Sequence, residues 1–364
     1  MKILFDARVH LNYYSGISRY IICLLEAYLG AFPDDDIHLL LNPTIKKDNS
    51  IYEVLGRFQN IQFHTINRPH MGPRNYIGMK KIIASFNADV YHYPHLDAPV
   101  KIGKTPTVAS IHDANYSNKI KKFNDPSGLK KVYFKYALKS TLKHAQKVIF
   151  VSNSVKTEIS KQFGYSANEP RFNVMHNGIE ADFSELDEAT VQKVSAELQL
   201  DKKYLLYVGQ IREHKNVHRI MQAFKELNHP DVELIMAGHN YLNEVIADDK
   251  IRFLNEVSNT QLKVLYHQCH AVVFPSLFEG FGFPIIEGFS FGKNVITTNY
   301  GATREVGGSE AILVDPLSVG AIKEGMQIAL EKPEFDLEKQ QYARTFSWKS
   351  NALALREIYV ETAI

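Results

Sequence analysis

The chain has 364 residues, a length that suits two domains of ordinary size better than one compact core. Hydrophobic residues make up 45% and charged residues 23%, which excludes a disordered or collagen-like chain. Lys and Arg number 42 against 40 Asp and Glu, so the net charge of +2 gives no global field that would attract nucleic acid. We therefore predict a two-domain protein without a nucleic-acid partner.

The cysteines and the first residues bear on the compartment. Cys23 and Cys269 each lie in an apolar stretch, which indicates core thiols in a reducing compartment and no disulfide framework. Asp6 and Arg8 interrupt the start before a long apolar run can develop, which predicts a first strand and not a signal peptide. No stretch approaches the ~20 apolar residues of a transmembrane helix. We expect a cytoplasmic protein, with peripheral contact to the inner face of the cytoplasmic membrane as an open alternative.

Short β-branched and aliphatic runs alternate with longer amphipathic segments along the chain. Such alternation is the signature of βαβ units and mostly parallel sheets. The pattern predicts an α/β protein with two doubly wound parallel sheets. The predicted strands span residues 2–5, 37–41, 90–93, 107–111 and 148–151 in the first half, and 204–208, 232–236, 271–274 and 294–298 in the second.

A polar, acidic segment at 179–203 contains no strand candidate and one predicted helix, at 189–198. We place the domain junction there, since domain boundaries fall in polar linkers. The resulting prediction is an N-terminal domain at 1–185 and a C-terminal domain at 200–345. The last segment, 346–364, carries an amphipathic helix that must dock on one of them.

The densest group of chemically capable residues lies after the predicted strand at 271–274. A glycine-rich loop leads into a helix that begins near Pro284, and the free amide groups and positive dipole end of such a helix favour a phosphate. Glu279 lies in the loop and Glu287 about one turn inside the helix. These carboxylates would repel a phosphate but accept hydrogen bonds from sugar hydroxyls. An ordinary capped loop is the alternative interpretation.

A second loop, after the predicted strand at 204–208, carries Gly209, Arg212 and Lys215. In open α/β sheets ligands bind beyond the carboxyl ends of the strands, which is where this loop would lie. Two cations at that edge would neutralise a diphosphate without a metal ion. A solvated loop is the alternative interpretation.

We expect a cleft between the two predicted domains, and three features of the N-terminal half are predicted to face it. Gly16 opens the first helix and permits close approach of the backbone. His112 follows the strand at 107–111, where an imidazole could bond a sugar hydroxyl, although a structural histidine is the alternative. Ser152 and Ser154 follow the next strand, and we interpret them as helix caps.

The order of these motifs resembles glycosyltransferase family four, the retaining transferases of the GT-B fold. The most specific part is Glu279, seven intervening residues and Glu287, with Gly282 and Pro284 between them. The resemblance implies two Rossmann-like domains facing a cleft, an N-terminal acceptor domain and a C-terminal nucleotide-sugar domain, with 346–364 crossing back to the former. It extends over nearly the whole chain through Gly16, His112-Asp113, Val151 to Ser154, His176-Asn177-Gly178-Ile179, Gly209 to Asn216, Gly301 to Gly308 and Phe346-Ser347-Trp348.

The resemblance implies roles for the charged residues of the C-terminal domain. Glu287 would hold the donor ribose, and Glu279 would contact hydroxyls of the transferred sugar. Lys215 would bind the diphosphate. Arg212 takes the role of the family's arginine, because His214 occupies the position before the lysine.

The remaining donor contacts follow from the same resemblance. His112 would contact the donor sugar, and Gly16 would offer a backbone donor beside the β-phosphate. Catalysis would need no protein nucleophile, because fixed positive groups stabilise the departing diphosphate. The catalytic candidates are therefore Glu279, His112, Arg212 and Lys215, and the backbone would support sugar and phosphate at Gly209, Gly282, Phe283 and Pro284.

The implied function is a retaining, metal-independent hexosyltransferase without a cofactor. The donor would be a nucleotide-diphosphate sugar, with GDP-mannose favoured and UDP-glucose types open, and the acceptor a glycan or lipid-linked glycan of surface polysaccharide synthesis. Two alternatives are a nucleotide-sugar epimerase on the same fold and a catalytically silent binding module.

Two charged segments stand apart from these motifs. Asp34-Asp35-Asp36 has the Asp-x-Asp spacing that binds metal in other transferases, but it precedes a strand, and we interpret it as a solvated turn. A predicted helix at 128–146 stacks like charges on one face, each neighbour pair costing about 0.2–0.5 kcal/mol unless an anion relieves it. We predict that this face meets an anionic membrane or a lipid diphosphate acceptor, with a solvated face as the alternative. Its lysines are Lys131, Lys135, Lys139 and Lys143.

Overall fold

The computed structural model of the protein describes residues 1–12, 15–76, 78–98, 104–113, 128–166, 168–241 and 248–363. The chain divides into two compact units. The first unit comprises Met1–Gly178 and Ser347–Ile364, and the second comprises Ile179–Phe346. The end of the chain therefore belongs to the first unit.

The first unit contains a parallel sheet flanked by helices. Its strands are β1 (Lys2–Asp6), β2 (Asp36–Leu41), β3 (Ile61–Thr65), β4 (Val90–Tyr93), β5 (Thr107–Ile111), β6 (Lys147–Phe150) and β7 (Phe172–Val174). Within the described residues these form one sheet in the order β3-β2-β1-β4-β5-β6-β7. Its helices are α1 (Gly16–Ala31), α2 (Ser50–Leu55), α3 (Pro73–Tyr76), α4 (Met79–Ser85), α5 (Gly128–His144) and α6 (Asn153–Phe163).

The second unit repeats this architecture. Its strands are β8 (Lys203–Val208), β9 (Val232–Ala237), β10 (Ile251–Asn255), β11 (Ala271–Phe274), β12 (Asn294–Thr298) and β13 (Ile312–Val314), in the order β10-β9-β8-β11-β12-β13. Its helices are α7 (Glu188–Leu198), α8 (Val217–Leu227), α9 (Asn259–Gln268), α10 (Phe283–Ser290), α11 (Gly301–Gly307), α12 (Val319–Glu331) and α13 (Leu337–Ala343). The last helix of the chain, α14 (Trp348–Ala363), returns to the first unit.

The α/β fold class with two doubly wound sheets is confirmed. Every predicted strand forms, with bounds that agree within one residue at each end. The apolar-run pattern does not predict β3 and β10, because polar residues interrupt both, or β13, because it has only three residues. A strand expected to end near residue 175 forms as β7. The segment after residue 178 joins the second unit, where Val191 and Val194 of α7 pack with Val264 of α9.

The strand order reverses beside the first strand of each unit. β1 lies between β2 and β4, and β8 lies between β9 and β11. All of these pairs are parallel, so the loops after β1 and β4 leave at one edge, and so do the loops after β8 and β11. Ligands of doubly wound folds bind at this kind of switch point.

The C-terminal helix α14 packs against α1 and reaches the core of the first unit through a chain of buried hydrogen bonds. The Tyr359 hydroxyl bonds His92 Nδ1, and His92 Nε2 lies 2.8 Å from Ser110 Oγ. Tyr20 of α1 bonds the same Ser110 oxygen at 2.8 Å. The terminal helix is therefore an integral part of the first unit.

The interpretation of Asp34-Asp35-Asp36 as a solvated turn is wrong for its central residue. Asp35 is buried and accepts a hydrogen bond from the Tyr28 hydroxyl at 2.7 Å. Its carboxylate also lies 2.6 Å from Arg356 Nε of α14. A long-range ion pair, which local sequence cannot disclose, turns this aspartate into a structural residue.

Cys23 and Cys269 are both buried thiols, and burial raises the pKa of Cys269 to about 12. Across the helices of the described ranges, none is both long enough and apolar enough to cross a membrane.

The buried His92 predicts how stability changes with pH. Burial lowers its pKa from 6.5 to about 3, so the unfolded chain binds the extra proton between those values. The contribution of His92 to the free energy of unfolding is complete above pH 6.5. It falls as the pH drops towards 3, by at most about 1.4 kcal/mol per pH unit for one such group. We expect the urea concentration at the unfolding midpoint to fall when the pH is lowered from 7.5 to 5. His92→Gln should weaken that dependence on pH.

His144→Gln serves as the control, because this histidine lies at the end of α5 and bonds the Ser140 carbonyl of its own helix. A pH dependence of unfolding that is the same in wild type and His92→Gln would contradict the assignment of a neutral, buried His92.

Candidate active site

An ion pair joins the two loops at the switch point of the second unit. Lys215 follows β8, and Glu279 follows β11. Lys215 Nζ donates to both carboxylate oxygens of Glu279, at 2.6 and 2.8 Å. Both side chains are mostly buried, with exposed fractions of 18% and 13%. The structure thus brings together two residues that the sequence analysis placed in one site.

Asn216 connects the loop after β8 to the loops after β11 and β13. Its buried side-chain amide donates to the carbonyls of Pro275 at 2.9 Å and Pro316 at 2.7 Å. The residue has a φ of +63°, a left-handed conformation that Asn tolerates better than most residues. Asn216 therefore fixes the position of its neighbour Lys215 relative to the loop that carries Glu279.

Two glycines let the loops after β8 and β9 touch through their backbones. Gly209 donates its amide hydrogen to the Ala237 carbonyl at 2.9 Å. A Cβ atom on Gly238 would lie 2.0 Å from the Gly209 carbonyl oxygen, and Gly238 has a φ of +139°. Only glycine fits there, so the path of the chain past Gly209 depends on both positions.

Glu287 is buried on α10, one turn after the helix begins, as the sequence predicts. The Tyr266 hydroxyl of α9 donates to its Oε2 at 2.5 Å. This bond fixes one carboxylate oxygen of Glu287. The sequence analysis did not identify Tyr266, because no local motif connects α9 with α10.

The N-terminus of α10 has the expected form. Its N-cap, Gly282, has a φ of +107°, and Pro284 lies in the first turn. One expected contact needs correction, because Pro284 has no amide hydrogen and cannot donate to a phosphate. Gly282 and Phe283 carry the amide hydrogens of this segment.

The guanidinium of Arg212, the expected diphosphate ligand, stacks on an aromatic ring. Its guanidinium carbon lies 3.9 Å from the ring centroid of Tyr241, a cation–π arrangement. Its Nε is buried and has no hydrogen-bond partner among the residues that the structure describes. The backbone carbonyl of Arg212 accepts from the Lys215 amide at 3.1 Å, which closes the turn between the two cations.

In the first unit, His112 lies directly after β5. Burial lowers the pKa of His112 to about 3, a nearby His95 acts in the same direction, and a hydrogen bond with the Pro94 backbone opposes both. A proline backbone offers only a carbonyl, so a ring N–H must donate to it. Within the described ranges Nε2 is buried without a partner, which assigns the proton to Nδ1 and leaves Nε2 as an acceptor.

The other predicted residues of the first unit lie at helix starts. Gly16 is exposed at the first position of α1, and Ser15 caps this helix through the Ser18 amide. Ser152 caps α6 by accepting from the Val155 amide, as expected. His112 packs edge-on against Tyr20 of α1 with ring centroids 4.5 Å apart.

Two family models match consecutive parts of the chain. The model of Glycosyltransferase Family 4 matches residues 14–183, and that of Glycosyl transferases group 1 matches residues 189–346. The chain belongs to the group 1 glycosyltransferases of family 4. The resemblance inferred from the motifs is therefore confirmed.

Among similar proteins is the O-antigen chain mannosyltransferase RfbU of Salmonella typhimurium, 30% identical over 250 residues that cover 66% of this chain and 65% of the relative. The O-antigen chain mannosyltransferase B of Escherichia coli is 27% identical over 281 residues, covering 72% of this chain and 71% of the relative. These matches span about two thirds of each relative. The crystal structure of Anabaena HepE in complex with UDP-glucose has a TM-score of 0.72 at 17% identity, covering 100% of this chain and 98% of that one, and it shows the GT-B fold.

The family glutamates and lysine are thus present with defined partners, whereas their roles toward a donor stay predictions. Among the described residues, no group of three or more His, Cys, Asp or Glu is arranged to hold a metal ion. The side chain of His214, which replaces the family's usual arginine, lies outside the described part of the structure.

The basic helix of the first unit is α5, which ends two residues earlier than predicted. Leu138 and Leu142 are buried, while Val132 and Tyr136 are exposed by 68% and 67%. At 100° per residue these two fall on the same face as the exposed Lys135, Lys139 and Lys143. The side chain of Lys131 lies outside the described residues, as do Lys119, Lys121 and Lys122.

Asn216→Ala should destabilise the second unit. The substitution leaves two carbonyls without their donor, which costs about 1–3 kcal/mol for a buried group. We expect a lower urea midpoint and weaker binding of any ligand of Lys215. Asn228→Ala is a matched control, because Asn228 also has a positive φ, of 46°, and its side chain makes no hydrogen bond with the described residues. Equal losses in the two variants would show that the bonds to Pro275 and Pro316 do not matter.

Proposed function

We propose that this protein is a retaining glycosyltransferase that moves a hexose from a nucleotide-diphosphate sugar to a glycan or lipid-linked glycan of surface polysaccharide synthesis. The observation that carries the proposal is the Lys215–Glu279 pair at the switch point of the second unit, in a chain of this family. A cation and a hydroxyl acceptor side by side suit a substrate in which a diphosphate adjoins a sugar.

Lys215 can bind a diphosphate without leaving Glu279. A lysine ammonium has three hydrogens, and the carboxylate oxygens of Glu279 take two of them. The third hydrogen is available to a phosphate oxygen. Cleavage of the bond from sugar to diphosphate develops negative charge on the leaving group, which Lys215, Arg212 and the positive end of the α10 dipole would stabilise.

The two glutamates suit hydroxyl recognition better than nucleophilic attack. Both oxygens of Glu279 are held by Lys215, and Oε2 of Glu287 is held by Tyr266. Neither is arranged like the free carboxylate that forms the covalent intermediate of a retaining glycosidase. We therefore assign Glu279 to sugar hydroxyls and Glu287 to the ribose, with attack and departure on the same face of the sugar.

A mannose donor is favoured because two relatives are named O-antigen chain mannosyltransferases. The likeness to a UDP-glucose complex concerns a protein of 17% identity and supports only a nucleotide-sugar donor in general. His112, neutral and with an acceptor nitrogen, would take a hydrogen bond from a sugar hydroxyl. We propose no metal requirement, since side-chain cations would neutralise the diphosphate.

A thermal-shift panel of GDP, UDP, dTDP and ADP in EDTA tests the donor. A nucleotide held at about 100 times its Kd adds about 2.7 kcal/mol of stability. We expect a selective shift with GDP, followed by consumption of GDP-mannose with retention, read from the anomeric configuration of the product. Lys215→Met should weaken binding by about 10- to 100-fold, since hydrogen bonds to charged groups contribute about 1.5–3 kcal/mol.

Lys193→Met, at an exposed position of α7, removes the same charge from the same unit and is the control. No shift with any nucleotide would contradict the donor site. Activity abolished by EDTA and restored by manganese would contradict metal independence, and isomerisation of the donor sugar without acceptor would identify an epimerase.

We also propose that α5 contacts an anionic membrane surface. Exposed Val132 and Tyr136 interleaved with lysines combine apolar area with positive charge, the two requirements of interfacial helices. A lysine near an anionic surface contributes about 1 kcal/mol.

Flotation with liposomes tests this contact. The wild type should float with vesicles that contain phosphatidylglycerol and less with pure phosphatidylcholine. Replacing Lys135, Lys139 and Lys143 by Gln should abolish the difference, whereas replacing the exposed Lys46, Lys80 and Lys81 by Gln should retain it. Equal flotation with both kinds of vesicle would refute the contact.

A further inference from the structure

The switch point of the first unit contains a buried polar network that the proposed donor chemistry does not use. Asp6 ends β1, and Arg8 follows it; both side chains are fully buried and form a bidentate ion pair with bonds of 2.7 and 2.6 Å. Arg8 also donates to Asn75 Oδ1 at 2.9 Å. Asn75 in turn donates to the Asp97 carbonyl, in the loop after β4.

Asp97 is the second buried carboxylate of this edge. Burial alone would raise its pKa, but hydrogen bonds from His95 and Tyr133 outweigh that effect and hold the pKa below its ordinary value. His95 Nδ1 lies 2.7 Å from Asp97 Oδ1, and the Tyr133 hydroxyl donates to Oδ2 at 2.9 Å. Asp97 therefore stays ionised and presents a fixed acceptor to the imidazole.

The dyad leaves one ring nitrogen of His95 for another partner. With Nδ1–H donating to Asp97, Nε2 of a neutral imidazole is an acceptor. Within the described ranges Nε2 makes no hydrogen bond, and it is not fully enclosed by protein atoms. The side chain of His95 retains 11% of its exposure, so a ligand atom can approach it. The His70 ring lies edge-on to the His95 ring, with centroids 6.4 Å apart, and His112 also lies close to His95.

We propose that His95 binds a hydroxyl group of the acceptor saccharide through Nε2, and that Asp97 is the residue that positions its ring. The inference rests on the proposed glycosyl transfer, which requires an acceptor hydroxyl, and it assigns that contact to the switch point of the first unit. A hydroxyl is the matching chemistry, because an acceptor nitrogen needs a donor in the ligand.

An anionic ligand group fits this position poorly. The one arginine of the network, Arg8, is saturated by Asp6, Asn75 and two backbone carbonyls. The charge nearest His95 is the negative charge of Asp97. A neutral, hydroxyl-rich ligand meets no such repulsion.

His95→Asn isolates the proposed contact. The amide nitrogen of Asn can take the place of Nδ1 and keep the bond to Asp97, whereas the acceptor at Nε2 is lost. His64→Asn is the matched control, because His64 of β3 is also half-buried and hydrogen-bonded, to His38 at 2.9 Å, on the outer strand of the same sheet.

The first measurement is the imidazole nitrogen NMR spectrum, with the His95 signals identified by their loss in His95→Asn. Methyl α-D-mannopyranoside should shift them, and its tetra-O-methyl derivative, which has no hydroxyl, should not. Absence of a shift in the wild type, or an equal shift with both probes, would overturn the proposal. Asp97→Asn should move the His95 nitrogen signals towards a mixture of tautomers; unchanged signals would remove the positioning role of Asp97.

The second measurement is transfer to the same mannoside from the donor that the nucleotide panel selects. We expect His95→Asn to lower kcat/KM for the mannoside by about 3- to 10-fold, the effect of one neutral hydrogen bond, with nucleotide binding and donor hydrolysis unchanged. His64→Asn should match the wild type throughout. Unchanged transfer in His95→Asn, or loss of nucleotide binding with it, overturns the acceptor role.

Failure of the proposed function gives a different result. The wild type would then bind no nucleotide and consume no donor, whatever the response of His95 to the mannoside. The acceptor role would be refuted with it, and a hydroxyl-dependent shift would leave only a saccharide-binding site.

Discussion

The reversal of strand order beside the first strand of each sheet is the constraint on which the chemistry of this protein depends. In a parallel doubly wound sheet the loops on either side of the reversal diverge and leave room for a ligand. The second unit fills that position with Lys215 and Glu279, and the first unit fills it with the Asp6–Arg8 and His95–Asp97 pairs. The fold thus sets the position of the functional side chains, at the strand-order reversal of each sheet. The residue types found there set their chemistry.

The buried carboxylates at these edges are held by partner residues, and this arrangement has an energetic reason. A carboxylate removed from water loses several kcal/mol of hydration unless partners replace it. The carboxylate of Glu279 is hydrogen-bonded to Lys215, and that of Glu287 to Tyr266. The carboxylate of Asp97 is hydrogen-bonded to Tyr133 and His95. The same partners fix the direction of the lone pairs, so the stability of these buried carboxylates and their preorganisation for a ligand come from the same bonds.

The sequence predicted the parts of the site that local motifs encode. The helix start at Gly282, the position of Glu287 one turn later and the loop cations after β8 all follow from strand ends and turn chemistry within a few residues. Three contacts could not be predicted, because each joins elements that only the tertiary fold brings together: Tyr266 with Glu287, Tyr133 with Asp97, and Asn216 with Pro316. Arg212 illustrates the same limit, because its guanidinium stacks on Tyr241, a contact that no spacing rule indicates.

The C-terminal helix α14 supports the residues that pack around His112 in the first unit. Tyr359 bonds His92, His92 bonds Ser110, and Ser110 bonds Tyr20. The Tyr20 ring then supports the imidazole of His112 and also contacts Trp348 at the start of the same helix. Because His92 is buried and neutral, this chain of hydrogen bonds carries no charge. The return of α14 to the first unit therefore supports the position of His112 through Tyr20 and a chain of uncharged hydrogen bonds.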